Sequence, residues 1–216
     1  MRGVQQLSRL RVTEIYSSVQ GESTHAGRLC TFVRLTGCNL RCTWCDSTYT
    51  FKGGQWMSFD EIIAEVDALG VPLVQVTGGE PLAQQQCFNL LQALLDEGYE
   101  VLLETSGSIG LLGVPREVKT IMDLKAPSSG ESRKNVWSNI AVLEDHDEVK
   151  IVVGSREDYD WALEVMSKYD VNYLLSPVWG VLDPADLAEW MIQDKVLGRM
   201  QVQLHKVLWP NKTSGI

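Results

Sequence analysis

The sequence predicts an α/β fold, an open partial (β/α) barrel of about six to seven mostly parallel strands. Short β-rich runs alternate with helical runs, the pattern of strand–helix crossovers in a parallel sheet. The strands are too few for a closed eightfold barrel. Most glycine-rich or polar breaks fall directly after a strand, where parallel α/β folds place their ligands.

Residues 11–18 alternate as a strand, with Val12, Ile15 and Tyr16 among polar neighbours, and residues 29–36 read as a second strand. A cysteine-bearing loop occupies 37–57. Ser58 opens a helix with Glu61 three residues on, a capping box, and Gly70 ends it. Residues 72–77 form a strand that runs into Gly78-Gly79-Glu80-Pro81, followed by a helix to about Glu97 with Gly98 as its stop. Strands at 99–104, 118–124, 148–153 and 171–175 follow, with a helix opened by Ser155 between the last two. Asp183 and Pro184 open another helix as a side-chain cap and a first-turn proline. A last strand at about 199–204 ends in His205-Lys206. The positions after the strands should converge on one mouth: Cys38, Thr77 to Glu80, Glu104, Asp123 to Lys125, Ser176 and His205.

The 216 residues, 44% hydrophobic and 22% charged, suit one globular domain and exclude a disordered chain or a coiled coil. Residues 211–216 read as a tail that either folds in or stays flexible. No run approaches the roughly 18 apolar residues of a membrane span, and the N-terminal segment has no apolar core of a secretory signal. A cytoplasmic protein is expected. The net charge of −9 argues against nucleic acid as a partner. Arg28, Arg34 and Arg41 are the nearest approach to a basic patch.

Five cysteines, three of them within eight residues, point to metal or redox chemistry rather than disulfides. Cys38, Cys42 and Cys45 are spaced Cys-x-x-x-Cys-x-x-Cys on a loop after a strand. Three thiolates so spaced can hold three corners of a [4Fe–4S] cubane, whereas cluster sites normally use four. Cys30 lies inside a strand and Cys87 inside a helix, so neither is placed to close the site. One iron would stay open, which generally means substrate or cofactor chemistry. A zinc site completed by His25 or His205, or three unligated thiols, are the alternatives.

This cysteine motif, with Gly78-Gly79-Glu80-Pro81 after the next strand, resembles the radical S-adenosylmethionine (radical SAM) superfamily. There the open iron binds the amino and carboxylate groups of SAM, and reductive cleavage yields a 5′-deoxyadenosyl radical. Val19-Gln20-Gly21-Glu22, Arg34, Asp46-Ser47, Glu104-Thr105-Ser106-Gly107, Asp123-Leu124-Lys125-Ala126 and Gln203-Leu204-His205-Lys206 narrow the likeness. Together they resemble the 7-carboxy-7-deazaguanine synthase family of queuosine and 7-deazapurine biosynthesis, over about residues 11–210.

The resemblance implies a modified radical SAM core and a lyase. It abstracts hydrogen from C6 of 6-carboxy-5,6,7,8-tetrahydropterin, contracts the ring, releases ammonia, regenerates SAM and is assisted by Mg²⁺. It also implies a homodimer and an external electron donor of flavodoxin or ferredoxin type. Carried onto this sequence, the pterin contacts are Val19, Gln20, Gly21, Glu22, Arg34, Thr77, Glu104 and His205. The SAM contacts are Trp44, Cys45, Asp46, Gly79, Asp123, Lys125, Ala126 and Ser176, and Ser47 is the Mg²⁺ ligand. Chemically, Arg34 offers a planar fork for the substrate carboxylate, and Ser47 offers the oxygen that Mg²⁺ prefers. Gly78 and Gly79 would let a ligand approach the backbone closely. Trp161 and Trp190 read as core or interface, Trp44 as a shield for the cluster, and Trp209 as a residue near the mouth or a subunit contact. In some relatives serine stands at the position of Asp123 and glutamine at that of Ser176, and some end near Pro210.

Two rival functions make different demands. A glycyl-radical activase shares the cysteine spacing but needs an open face for a protein backbone. An electron-transfer module needs a fourth cysteine ligand and no SAM.

Overall fold

A computed structural model describes residues 9–215; residues 1–8, on which part of the N-terminal reading rests, and Ile216 lie outside the described residues. Nine strands form one sheet. They are β1 (Arg9–Val19), β2 (Leu29–Leu35), β3 (Gln55–Ser58), β4 (Leu73–Gly78), β5 (Glu100–Thr105), β6 (Lys119–Leu124), β7 (Glu148–Val153), β8 (Asn172–Pro177) and β9 (Arg199–Met200). Their order is β3-β1-β2-β4-β5-β6-β7-β8-β9. From β2 to β9 every neighbour pair is parallel, seven strands in all. The two others, β1 and β3, add antiparallel pairs at one edge. β3 and β9 are not paired with each other, so the barrel is open, as the strand count predicts.

The helices α1 (Phe59–Leu69), α2 (Cys87–Asp96), α3 (Arg156–Met166) and α4 (Pro184–Gln193) pack on the outside. Their predicted caps are in place. Ser58 Oγ accepts from Glu61 N while Glu61 Oε2 accepts from Ser58 N, and Gly70 closes α1 at φ 66°. Ser155 and Asp183 cap α3 and α4. Between β6 and β7 the chain uses short 3₁₀ turns such as Pro127–Ser129 and Trp137–Val142 instead of an α-helix, and between β5 and β6 it has neither.

The chain ends differently from the sequence reading. The expected strand over 199–204 is only Arg199–Met200, and His205 sits on a five-residue helix, α5 (Leu204–Leu208). The strand β3, inside the expected loop, was not anticipated; it is short and pairs with β1 alone.

Strand alternation divides the molecule. One face of the parallel strands packs Val33, Val74, Val76, Leu103, Met122, Val149, Ile151 and Leu175 against the helices, forming the main core. The other face turns into the partial barrel and is layered. Its lower layer is apolar: Cys30, Phe32, Leu73, Leu102, Ile121 and Leu174. One step along each strand the inward residues become polar, among them Arg34, Gln75, Thr77, Glu104, Asp123, Lys150 and Ser176. The apolar layer is therefore the plug on which a polar site stands. Leu102, fully buried in this layer, should cost about 2–5 kcal/mol when replaced by alanine. Urea unfolding of Leu102→Ala measures this, and a loss within experimental error would mean the lower layer is not packed.

Candidate active site

The loop after β2 starts with Gly37 at φ 100°, a conformation that glycine takes without strain. Gly37 N donates to Thr50 O (2.8 Å), and Glu80 N donates to Gly37 O (2.9 Å), fastening the loop to its own return and to the end of β4. Cys38, Cys42 and Cys45 follow, half-buried and free of disulfides, on the wall of a cavity of about 520 Å³ at the mouth of the barrel. Burial pushes the Cys38 thiol up, and that of Cys42 up to about 11. Such thiols stay protonated at neutral pH unless a metal's positive charge holds them as thiolates.

Among the described residues no three His, Cys, Asp or Glu side chains converge as ligands of one ion would. A cubane takes each thiolate on a separate iron, so the three cysteines fit a cluster better than zinc. The suggested zinc ligand His25 is also displaced. It packs with Arg28 and Glu100 at the opposite end of the strands. The same contact dissolves the basic patch, because Arg28 is nowhere near Arg34 or Arg41. Cys30 is buried in the lower layer and Cys87 in the main core, away from the loop.

Gly78 and Gly79 have a reason other than ligand approach. A Cβ on Gly78 would come 2.4 Å from Leu35 O. One on Gly79 would come 2.4 Å from Gly37 O and 2.6 Å from Cys38 Cβ. Bare backbone is required first to seat the cysteine loop on β4. The fully buried Glu80 then ties β4 to β5: it accepts from Leu82 N (3.0 Å), Thr105 Oγ1 (2.8 Å), Ser106 N (2.7 Å) and Ser106 Oγ (2.5 Å).

The floor is a charged network. Lys150 Nζ, buried on β7, lies 3.0 Å from Glu22 Oε2 and 3.3 Å from Asp123 Oδ2, and it also binds Glu104 Oε1. Lys125 Nζ lies 3.1 Å from Asp123 Oδ1. Gln75 Nε2 donates to Glu104 Oε2 (2.9 Å), and Gln20 Nε2 donates to Gln75 Oε1. Two cations thus face three carboxylates. Burial pulls the Lys150 ammonium down, but Glu104, Glu22 and Asp123 outweigh it and hold its pKa well above the ordinary lysine value. Burial raises the pKa of Glu22, and a lysine shared among three carboxylates does not offset this. Glu22 Oε1 is buried with no hydrogen-bond partner, and Asp123 Oδ1 has only the ion pair with Lys125. Unsatisfied buried acceptors are costly and await donors.

At the rim, Lys206 Nζ on α5 binds Asp46 Oδ2 (2.6 Å), and Ser47 Oγ donates to Asp46 Oδ1 (2.9 Å). Burial pushes Asp46 up, yet Lys206 and these hydrogen bonds bring it down to about 2. Because Ser47 spends its proton on Asp46, its lone pairs remain for a cation. His205 lies against Gly21, where a Cβ would come 2.7 Å from His205 Nδ1. Burial lowers its pKa, so the ring is neutral at neutral pH and can both donate and accept. Arg34 is not free. Its Nε donates to Glu14 Oε1 (2.7 Å) and its NH2 group to Tyr16 Oη (2.6 Å), leaving the rest of the fork to face the cavity.

Of the residues that the sequence singled out, Val19, Gln20, Gly21, Glu22, Arg34, Thr77, Glu104, His205, Trp44, Asp46, Ser47, Gly79, Asp123, Lys125 and the three cysteines all line this cavity. Ala126 and Ser176 do not; both are buried. Ala126 O accepts from Ser129, whose own carbonyl accepts from Thr43 N of the cysteine loop. Ser176 Oγ accepts from Gln201 Nε2 (3.1 Å). Ala126 thus braces the cysteine loop and Ser176 the stretch that leads to His205. Sequence reasoning missed Lys150 and Gln75. Inward alternation along β4 and β7 was the signal that would have found them.

Comparison with known proteins gives a consistent set of likenesses. The Radical SAM superfamily model matches residues 32–174. The chain is 43% identical to the 7-carboxy-7-deazaguanine synthase of Koribacter versatilis, over 96% of this chain and 100% of that one. It is 44% identical to the enzyme of the same name from Chlorobaculum tepidum, over 96% and 97%. The crystal structure of QueE from Escherichia coli superposes with a TM-score of 0.75 at 22% identity, covering 93% of this chain and 96% of that one.

Lys150→Met would leave Glu22, Glu104 and Asp123 facing one another, at an expected cost of about 3–5 kcal/mol at pH 7. The folded variant then binds more protons than the unfolded chain, so its deficit should shrink as the pH falls from 7 to 5. Denaturant titrations at both pH values measure it. An equal deficit at both would contradict the charge network.

Proposed function

The chain belongs to the radical SAM superfamily and, within it, to the 7-carboxy-7-deazaguanine synthases, and from that premise we propose that it converts 6-carboxy-5,6,7,8-tetrahydropterin into 7-carboxy-7-deazaguanine and ammonia. It is a carbon–nitrogen lyase of 7-deazapurine (queuosine) biosynthesis that uses a [4Fe–4S] cluster, SAM and Mg²⁺. The observation that carries this reading is one cavity with three half-buried thiols on its wall and an unsatisfied carboxylate oxygen in its floor. When bound, the cluster and SAM supply a carbon-centred radical that removes hydrogen from C6 of the pterin.

The chain's own residues do the rest. Cys38, Cys42 and Cys45 hold three irons. Cys30 and Cys87, buried elsewhere, would not supply a fourth thiolate. Gly79, Trp44, Asp46, Asp123 and Lys125 surround the SAM side, with Ala126 bracing the cysteine loop and Ser176 the stretch that leads to His205. Ser47 holds Mg²⁺ through its oxygen. On the substrate side, Glu22 Oε1 accepts an N–H from the amino-pyrimidine edge of the pterin, which would satisfy the orphaned atom. Glu104 and Gln20 extend that edge recognition, and Thr77 and the backbone at Val19 and Gly21 complete the wall. Lys150 remains protonated and keeps the carboxylates together. Arg34 and neutral His205 face the substrate carboxylate.

We further propose an external one-electron donor of flavodoxin or ferredoxin type, a homodimer and a cytoplasmic location. Among the described residues no helix is long and apolar enough to cross a membrane. A polar cavity ringed by side chains also suits a small ligand better than the protein backbone that a glycyl-radical activase must admit.

Anaerobic reconstitution with iron and sulfide, then reductant, SAM, Mg²⁺ and the carboxytetrahydropterin, should give the deazaguanine by mass without net loss of SAM. Accumulation of deoxyadenosine and methionine without that product would overturn the substrate. Cys42→Ala should retain less iron and make no product. Arg34→Lys, which loses the planar fork, should raise KM for the pterin about tenfold, equivalent to about 1.4 kcal/mol.

A further inference from the structure

Five cations line the cavity among the described residues: Arg34, Lys125, Lys150, Lys206 and Lys212. Four of them already have a carboxylate. Arg34 Nε is 2.7 Å from Glu14, Lys125 is 3.1 Å from Asp123, Lys150 is 3.0 Å from Glu22, and Lys206 is 2.6 Å from Asp46. Lys212 alone has none among the described residues. Its Nζ lies 5.7 Å from the centre of the Trp209 ring, which also lines the cavity.

We propose that Lys212 is a second anchor for the substrate carboxylate, working beside Arg34. The inference rests on the carboxylated pterin being the substrate. Two independent observations lead to it. One is the charge balance. The Arg34–Glu14 pair is neutral, so a carboxylate brought to that corner would meet an arginine whose charge is already compensated. Lys212 supplies the missing positive charge.

The other is the course of the chain. Trp209 N donates to His205 O (2.8 Å), and Lys212 N donates to Trp209 O (3.0 Å). Gly215 N then donates to Glu14 Oε2 (3.1 Å), on the same carboxylate whose Oε1 accepts from Arg34 and from Tyr49 Oη (2.8 Å). The segment after Pro210 therefore runs from the His205 helix to the Arg34 corner. It crosses the mouth with Lys212 and Thr213 on the cavity wall. Lys212 is a specificity residue in this assignment: it selects for the carboxylate and not for the pterin ring.

The test compares two non-reacting ligands on the reconstituted, unreduced enzyme with SAM bound. One is 6-carboxypterin and the other is pterin, which lacks the carboxylate; fluorescence titration gives both dissociation constants. Lys212→Gln should weaken 6-carboxypterin about 3- to 10-fold and leave pterin unchanged. Lys212→Arg should restore most of the difference, and the difference should shrink as salt is raised. Equal weakening of both ligands, or of neither, would overturn the assignment while leaving the pterin reading intact. Failure of the wild-type enzyme to bind either ligand would overturn that reading, and the assignment with it. Lys212 is exposed, so folding of the variants is not at stake.

Discussion

The arrangement depends on a buried carboxylate at the end of β4. Glu80 has no solvent to compensate its charge, and it takes four donors instead, three of them from Thr105 and Ser106 at the end of β5. Hydrogen bonds to a charged group are the strong kind, and a buried charge without them is very costly. The ends of β4 and β5 are thereby locked together. The backbone N–H of the same residue holds Gly37 O, so the cysteine loop is hung from this lock. The two glycines before it have no freedom to be anything else, because a Cβ at either would strike the loop or β2. Thiol geometry, the part of the site on which radical chemistry depends, is set by a residue that touches no ligand.

The floor is built on a different compromise. Lys150 alone cannot neutralise three carboxylates, and Lys125 joins only one of them. The network is left slightly anionic, with a free acceptor atom on Glu22. A closed apolar core would be more stable. What this one gains is a set of fixed acceptors aimed where a donor-rich heterocycle would sit. They are placed before any ligand arrives and are supported from below by the apolar layer of Phe32, Leu73, Leu102, Ile121 and Leu174. The anionic floor then gives the cavity a direction, with donors drawn to the bottom, while the cations nearer the mouth, Arg34 and Lys206, are each paired with a carboxylate.

How much of this was legible in the sequence depended on whether the information was local. The cysteine spacing, the Ser58 box with Glu61, the Asp183–Pro184 start and the Gly-Gly-Glu-Pro turn are each complete within a few residues, and all stand where expected. Lys150 and Gln75 alternate with the apolar residues of β7 and β4, which marks them as inward, but nothing local says what they meet there. Lys150 meets carboxylates 46 and 128 positions away, and Gln75 meets side chains 29 and 55 positions away. His205 was placed correctly at the mouth but for the wrong reason. The strand that was to deliver it stops at Met200, and a helical turn does so instead. Ser176 faces inward with Leu174, but its hydroxyl is taken by Gln201, and Ala126, just past the end of β6, packs into the main core; partners so distant in sequence leave no local mark.

The closure of the open barrel follows from the same contacts that make the site. A sheet whose ends do not pair must be covered where its edges face each other. Here the segment after β1 does this: Gly21 O accepts from Leu204 N (3.0 Å), and Ser23 N donates to Gln201 Oε1 (2.7 Å). His205 sits so close above Gly21 that no side chain fits between them. The stretch that seals the seam therefore also carries Gln20 and Glu22 into the cavity, and the stretch it meets carries His205 and Lys206 to the rim. The seam and the binding wall are one structure. A change that loosens the meeting of 20–23 with 201–206 must disturb ligand contacts on both sides of the cavity at once. Gly21 thus belongs with the binding residues although it offers no side chain.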